Sequence, residues 1–402
     1  MDPWVVVRDL VLGIVTGILF FFFFRRVVRL SRWWAIGVAG FTAVALTSGF
    51  VLPAACRAYG LDRARWVVMG AASMITVVFY FSILAVLVCV MNLVWWAFTR
   101  DESVDPDTAK RALIDEDSPG SRSNRGWAVK VFTALALAIA LLVTGYGYVR
   151  AQSPQITKVE LSFTTLPSNF DGMTIALLTD LHISSMTRAS FLPLVVDQVN
   201  DAHPDLVVIA GDLVDGTVAN LSSRMSVLKD LQAPYGVVVT LGNHETYCGA
   251  EQWSDYFESL GLRVLTNDGV LLSRGSQTIT VLGVADFKQD GPLAPDLNAA
   301  VNSTGSCEES FCVLAAHEPK QVLAEDRLAS RLAIDLQLSG HTHAGQLWPL
   351  GYVTRLTQPA IDGVHVINRV TVVTSSGVGT FRPPERVGAD PEIPLITLRS
   401  SG

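Results

Sequence analysis

The chain of 402 residues contains seven histidines. Five of them fall in four short blocks, Asp180-Leu181-His182, Gly242-Asn243-His244-Glu245, Ala316-His317 and Gly340-His341-Thr342-His343, and a fifth block, Gly211-Asp212, lies between the first two of these. Carboxylate, carboxamide and neutral imidazole together are the donor set that suits Mn, Fe or Zn. Two such ions about 3.5–4 Å apart clamp the oxygens of a phosphate ester and make a water held between them nucleophilic at neutral pH. A pair of ions needs roughly seven or eight protein ligands, one of them a carboxylate shared by both. Taken singly, each residue has a blander explanation. Asp180 or Asp212 alone reads as a helix N-cap, Asn243 as a turn residue, and His317 as a satisfied buried histidine. Taken together, Asp180, His182, Asp212, Asn243, His317, His341 and His343 make a complete ligand set for two divalent metal ions.

The elements that must position them are legible as short apolar runs. Thr174–Leu178 leads into the first block, Leu206–Ala210 into the second, Gly236–Leu241 into the third, Phe311–Ala315 into the fourth and Leu336–Leu338 into the fifth. Continuous apolar runs of this length read as buried strands. Between the first two, Phe191–Ala202 has the spacing of an amphipathic helix. In α/β folds polar groups at the carboxyl ends of several strands converge on one rim. Five fragments distant in sequence are therefore expected to build one site.

In this order, DLH, GD, GNHE, a lone strand-end histidine and GHTH resemble the calcineurin-like metallophosphoesterase superfamily, over roughly residues 155–400. The resemblance implies a four-layer α-β-β-α sandwich. It also implies one ion held by Asp180, His182, Asp212 and His343, and a second by Asp212, Asn243, His317 and His341, with Asp212 as the bridge. His244 would then be a catalytic residue facing the leaving group, and Glu245 would orient it. Ser184 departs from the glycine common after the DLH block and removes no ligand. The stretches SGHTHAGQLWP (339–349) and GVGTFRPPERVGADPEIPLITL (377–398) are similar to a bacterial membrane-anchored, phosphodiesterase-like branch. Gln346, Trp348 and Arg382 are candidates for the pocket wall, His203 for a surface loop and His365 for a strand.

Composition divides the chain. Mean hydropathy is +0.38, and nearly all the long apolar runs precede residue 150. Runs at 4–24, 33–55, 66–98 and 131–149 meet the ~20 residues a spanning helix needs, and 100–126 reads as a polar linker. Arg25, Arg26, Arg29 and Arg32 follow the first run where a cleavage site would stand in a signal peptide, so it is expected to stay as an anchor. Counting basic residues loop by loop places the C-terminal domain outside the cytoplasm of a multi-pass cell-membrane protein. From residue 150 onward there are 27 acidic and 16 basic side chains, against 10 and 14 before it. So acidic a domain excludes general nucleic-acid binding. Cys307 and Cys312 are spaced to close a small loop in an oxidising compartment, and the alternative of free thiols stays open.

The reading that follows is a membrane-embedded hydrolase of phosphomonoester or phosphodiester bonds, acting through a water activated between the two ions on a lipid-linked or cell-envelope substrate. Two alternatives remain: a membrane sensor or scaffold whose phosphoester-binding module does no chemistry, and a cyclic-nucleotide phosphodiesterase. Loss of ligands would mark the first, and no ligand is missing here.

Overall fold

The computed structural model describes residues 3–28, 31–59, 65–98, 121–286, 294–305, 307, 310–324 and 334–401. It divides into two compact units, residues 1–54 with 66–146, and residues 55–65 with 147–402.

The first unit is built of helices α1 (Pro3–Phe22), α2 (Arg32–Tyr59), α3 (Arg65–Phe98) and most of α4 (Ser121–Ala151). Three stretches are long and apolar enough to cross a membrane: Leu10–Val27, Arg65–Met91 and Trp127–Ala151. The second expected span falls on α2, whose apolar stretch among the described residues is the shorter Ala35–Gly49. Thr42, Thr47 and Ser48 dilute it, and the hydroxyls of Thr42 and Ser48 donate to Val38 O and Ala45 O inside the helix. Large apolar side chains such as Leu19, Val44, Leu93 and Leu142 point outward. That arrangement is stable in hydrocarbon and costly in water. Residues 100–120 of the expected linker lie outside the described residues, and 121–126 belong to the first turns of α4.

The second unit contains two six-stranded sheets. The first has the order β1-β12-β2-β3-β4-β5, from Gln155–Phe163, Glu392–Ser400, Thr174–Leu178, Leu206–Ala210, Val237–Thr240 and Arg263–Val264. The second has the order β10-β11-β9-β8-β7-β6, from Gly363–Ile367, Val370–Thr374, Leu336–Ser339, Phe311–Ala315, Gln277–Gly283 and Asp268–Arg274. Strands β2 to β5 run parallel, as do β7, β8, β9 and β11.

The apolar runs belong to buried strands because both of their faces are covered. Ile175 and Leu177 of β2 meet Val313 and Leu338 of the second sheet in the core between the sheets. Their neighbours Ala176 and Leu178 face the opposite way, onto α5 (Phe191–Asp201), whose Phe191, Leu192, Val195, Val196 and Val199 form the buried stripe. Helices α6 (Val218–Met225), α7 (Asn243–Cys248) and α8 (Ala250–Ser259) follow on the first sheet's side of the fold. Cys312, Leu314 and Val372 pack outward on the far side, under α9 (Leu297–Thr304) and α10 (Gln321–Ala324). Three apolar seams thus separate four layers, the α-β-β-α sandwich expected. Each fully buried Val, Leu or Ile contributes about 1.5–3 kcal/mol, and the seams hold the strand ends in register. His203 is exposed in a loop, and His365 is exposed on β10. Cys307 and Cys312 form a disulfide.

Candidate metal centre

Five of the seven candidate ligands hold left-handed backbone: Asp180 (φ 55°), His182 (45°), Asp212 (55°), His341 (69°) and His343 (49°). Such conformations cost of order 1–3 kcal/mol each and persist only where the surroundings over-determine them. Here the turns after β2, β3, β8 and β9 are tied to one another. Asp180 N donates to Gly211 O, His182 N to Asp212 O and Gly340 N to His317 O, each at 3.0 Å. Glycine is required where these turns touch. A Cβ at Gly340 would collide with Thr179 Oγ1 and Asp180 Oδ2, and one at Gly242 with Asp212 Oδ1.

The side chains converge in interlocking triads: Asp180, His182 and His343; His182, Asp212 and His244; and Asp212, His317 and His341, each with its ligand atoms within 4.8 Å of one another. In the first triad His343 Nε2 stands 3.0 Å from His182 Nε2 and 3.3 Å from Asp180 Oδ1. His182 Nε2 is also 3.8 Å from Asp212 Oδ2. In the last triad Asp212 Oδ2 is 3.2 Å from His317 Nε2, which is 3.1 Å from His341 Nδ1. Ligands bound at 2.0–2.2 Å to one ion stand about 3.0–3.6 Å apart, so all of these spacings but the one from His182 to Asp212 are those of coordination edges.

The donor chemistry fits cations too. The Nδ1 of His317 lies 2.8 Å from Ala210 O. A carbonyl can only accept, so Nδ1 carries the proton and the lone pair of Nε2 faces the Asp212 carboxylate. Acceptor against acceptor demands a proton or a metal ion between them. Burial alone would raise the Asp212 pKa, yet with the proton in that place the charge of His317, with His244 and His182 behind it, holds it well below the usual carboxylate range. Asn243 adds a buried carboxamide oxygen with no hydrogen-bond partner among the described residues. The residues therefore fit a divalent ion in each of two adjacent sets.

The supporting contacts differ from expectation at one residue. Glu245 does not meet His244. Its carboxylate accepts from four backbone amides, Gly242 N (2.7 Å), Asp212 N (2.9 Å), Leu213 N (2.7 Å) and Val214 N (3.1 Å), and so ties the Asp212 turn to the start of α7. The contact to His244 is made by Asp215, whose Oδ1 lies 2.5 Å from His244 Nδ1. Burial disfavours the imidazolium, but Asp215, then Asp212 and Glu245, outweigh it and raise the His244 pKa to about 9. Its Nε2 is left 3.9 Å from Asp212 Oδ2. The Phe381 ring packs over both His244 and His182, at 4.8 and 5.4 Å.

Glu318, fully buried next to His317, stands 3.5 Å from His341 Nε2 and accepts from Gln358 Nε2 at 3.0 Å. This turns His341 Nδ1 toward the cluster. Arg386, also buried, places a guanidinium nitrogen 3.1 Å from His343 Nδ1. Burial, His182 and this cation keep His343 neutral, as a metal ligand must be. None of Asp215, Glu318, Arg386 and Phe381 was singled out from sequence. The available signals were a second acid three residues after Asp212 and an acid directly after His317. Gln346 and Arg382 line a cavity beside His341 and His343. Trp348 lies outside that lining, 57% exposed. Ser184 is buried in the turn after His182, where its carbonyl accepts from Arg224.

The two-sheet sandwich thus gathers His, Asp and Asn side chains at its strand ends, in clusters that could hold metal ions. Residues 173–345 match the Calcineurin-like phosphoesterase family. The chain is 34% identical over 279 residues to a zebrafish (Danio rerio) transmembrane protein with metallophosphoesterase domain, a match covering 67% of this chain and 63% of that one. It is 32% identical over 282 residues to an uncharacterized metallophosphoesterase of Helicobacter pylori, covering 68% and 72%. A Bacillus subtilis metallophosphoesterase, YkuE, is 28% identical over 289 residues, covering 69% and 98%. This chain belongs to the calcineurin-like metallophosphoesterase family, as a member that carries apolar helices of membrane-spanning length.

Proposed function

We propose that the protein hydrolyses a phosphomonoester or phosphodiester at two divalent ions, one held by Asp180, His182, Asp212 and His343, the other by Asp212, Asn243, His317 and His341. The observation that carries this reading is the Asp212 carboxylate, which belongs to both sets and faces the lone pair of His317. Bound there, the ions supply positive charge for the phosphate oxygens and the Lewis acidity that activates water. The protein's own groups do the rest. Asp215 orients His244, whose Nε2 is left to donate a proton to the departing oxygen. Phe381 shields both rings from bulk water, which strengthens every charge interaction beneath it. Glu318 and Arg386 hold His341 and His343 in place.

Two features favour a substrate presented outside the cytoplasm, lipid-linked or part of the envelope. The basic cluster Arg25, Arg26, Arg29 and Arg32 follows the first span, and the Cys307–Cys312 bond is of the kind that persists in oxidising compartments. The test uses the full-length chain, loaded with manganese, on bis-p-nitrophenyl phosphate and p-nitrophenyl phosphate. Turnover lost in Asp212→Ala and His341→Ala supports the reading; equal turnover in wild type and variants ends it. Alkaline phosphatase fused to the C-terminus reads the orientation, being active only outside the cytoplasm.

A further inference from the structure

A cavity of about 420 Å³ opens beside the metal ligands, lined among others by His341, His343, Gln346, Leu350, Val353 and Phe381. Its outer wall is the turn that carries the short helix α11 (Gly351–Thr354). This turn turns apolar side chains outward: Trp348 is 57% exposed, Tyr352 66%, Val353 59% and Leu356 84%. Residues 341–361 contain one charged side chain, Arg355, and no acid, in a domain where acids greatly outnumber bases. An exposed apolar and aromatic turn, whose one cation Arg355 stands 3.8 Å from Asp362 at its end, is a liability against water and suits the interfacial layer of a bilayer, where Trp and Tyr collect.

The same turn is tied to the end of a membrane-length helix. Trp348 N donates to Val387 O at 2.7 Å, and Val387 N to Gln346 O at 2.9 Å. One residue earlier, Arg386 N donates to Gly147 O in the last turns of α4 at 3.0 Å. Gly147 packs so closely there that a Cβ would come within 2.8 Å of Val387 Cγ2. Arg150 and Asp390 pair across the same junction. The apolar stretch Trp127–Ala151 ends at this point. The exposed turn is therefore joined, through Val387 and Arg386, to the last residues of that apolar stretch.

We propose that the Trp348–Leu356 turn is a bilayer-docking surface, which rests on the interface of the membrane in which the chain is anchored and holds the cavity mouth against lipid. A phosphoester whose apolar chain stays in the bilayer then reaches His341 and His343 past Leu350, Val353 and Phe381. This consequence for substrate rests on the proposed esterase activity; the docking does not.

The test reads depth rather than turnover. The full chain, with Cys56, Cys89 and Cys248 changed to serine, takes a nitroxide at Leu356→Cys or, as a control, at Leu271→Cys, half-exposed on the opposite edge of the second sheet. It is reconstituted at one chain per nanodisc of phosphatidylcholine and phosphatidylglycerol. Collision of each label with oxygen and with a water-soluble nickel chelate is then measured. The expected result is a several-fold higher ratio of oxygen to nickel collisions at 356 than at 271. Adding Trp348→Ser and Tyr352→Ser, both exposed and outside the cavity lining, should reduce that contrast. Equal ratios at the two positions overturn the proposal. So does a contrast seen only with two chains per disc and accompanied by dipolar broadening, which would assign the surface to a second copy. Because no turnover is measured, failure here is separable from failure of the esterase reading.

Discussion

The assignment of Asp215, rather than Glu245, as the partner of His244 makes a sharp prediction. Asp215→Asn keeps the shape of the side chain and removes its charge from a buried contact of 2.5 Å. A hydrogen bond to a charged group contributes about 1.5–3 kcal/mol, roughly a 10- to 150-fold change in rate at 1.4 kcal/mol per decade. The loss should fall on substrates whose leaving group needs a proton. An alkyl phosphodiester should slow by that factor, whereas p-nitrophenyl esters, which leave unprotonated, should slow only a few-fold. Asp215 also stands 3.5 Å from His182 Nδ1, so metal content is measured alongside and the rates are compared at saturating metal. Glu245→Gln has a different signature. Each Glu245 oxygen accepts two backbone amides, and the carboxamide nitrogen would face two of those donors. At about 1–3 kcal/mol for each stranded donor, the variant should lose roughly 2–6 kcal/mol of stability and bind metal less well, with no dependence on leaving group. Leaving-group dependence in Glu245→Gln at an unchanged Tm, with Asp215→Asn near wild type, would refute this division of labour.

Further outcomes follow from the same contacts. Stripping divalent metal with a chelator should abolish turnover and lower the thermal midpoint by several degrees. A ligand present at a hundredfold excess over its Kd contributes about 2.7 kcal/mol, and scanning fluorimetry should show full recovery on adding manganese. Glu318→Gln weakens the hold on His341, so affinity for one of the two ions should fall by about 10- to 100-fold. Elemental analysis at limiting metal should then move from two ions per chain toward one. Reducing the Cys307–Cys312 bond, which spans five residues of sequence, should cost about 2 kcal/mol by loop-closure entropy, read as a lower urea midpoint.

What the sequence made legible was what physics forces into short blocks. The ligands had to stand at the carboxyl ends of apolar strands. Their glycines had to be there because neighbouring turns leave no room for a Cβ, as at Gly340 against Thr179 and Asp180. The supporting shell was less legible because its contacts cross between elements. Glu245 follows His244 directly on α7, and adjacent residues of a helix do not face each other. That geometry already argues against pairing them. Asp215 reaches the same ring from the β3–α6 connection, a juxtaposition that only the folded sheets create. The apolar character of residues 347–356 was readable in the sequence, but not its exposure beside the cavity.

The pairing at the edge of the first sheet governs when this protein can become competent. Strand β12 lies between β1 and β2, and Thr157 on β1 donates to Glu392 on β12 across 235 residues of sequence. The loop before β12 also carries Gly379, whose amide donates to Asp180 O, and Arg386, which braces His343. As the chain is made from its N-terminus, β1 must wait unpaired, and β2 with one edge open, until β12 arrives between them. Such non-local closure is slow. The left-handed turns at Asp180 and His343 gain their last supports from this loop, so a chain stalled before residue 379 would carry every candidate ligand and still lack a finished centre.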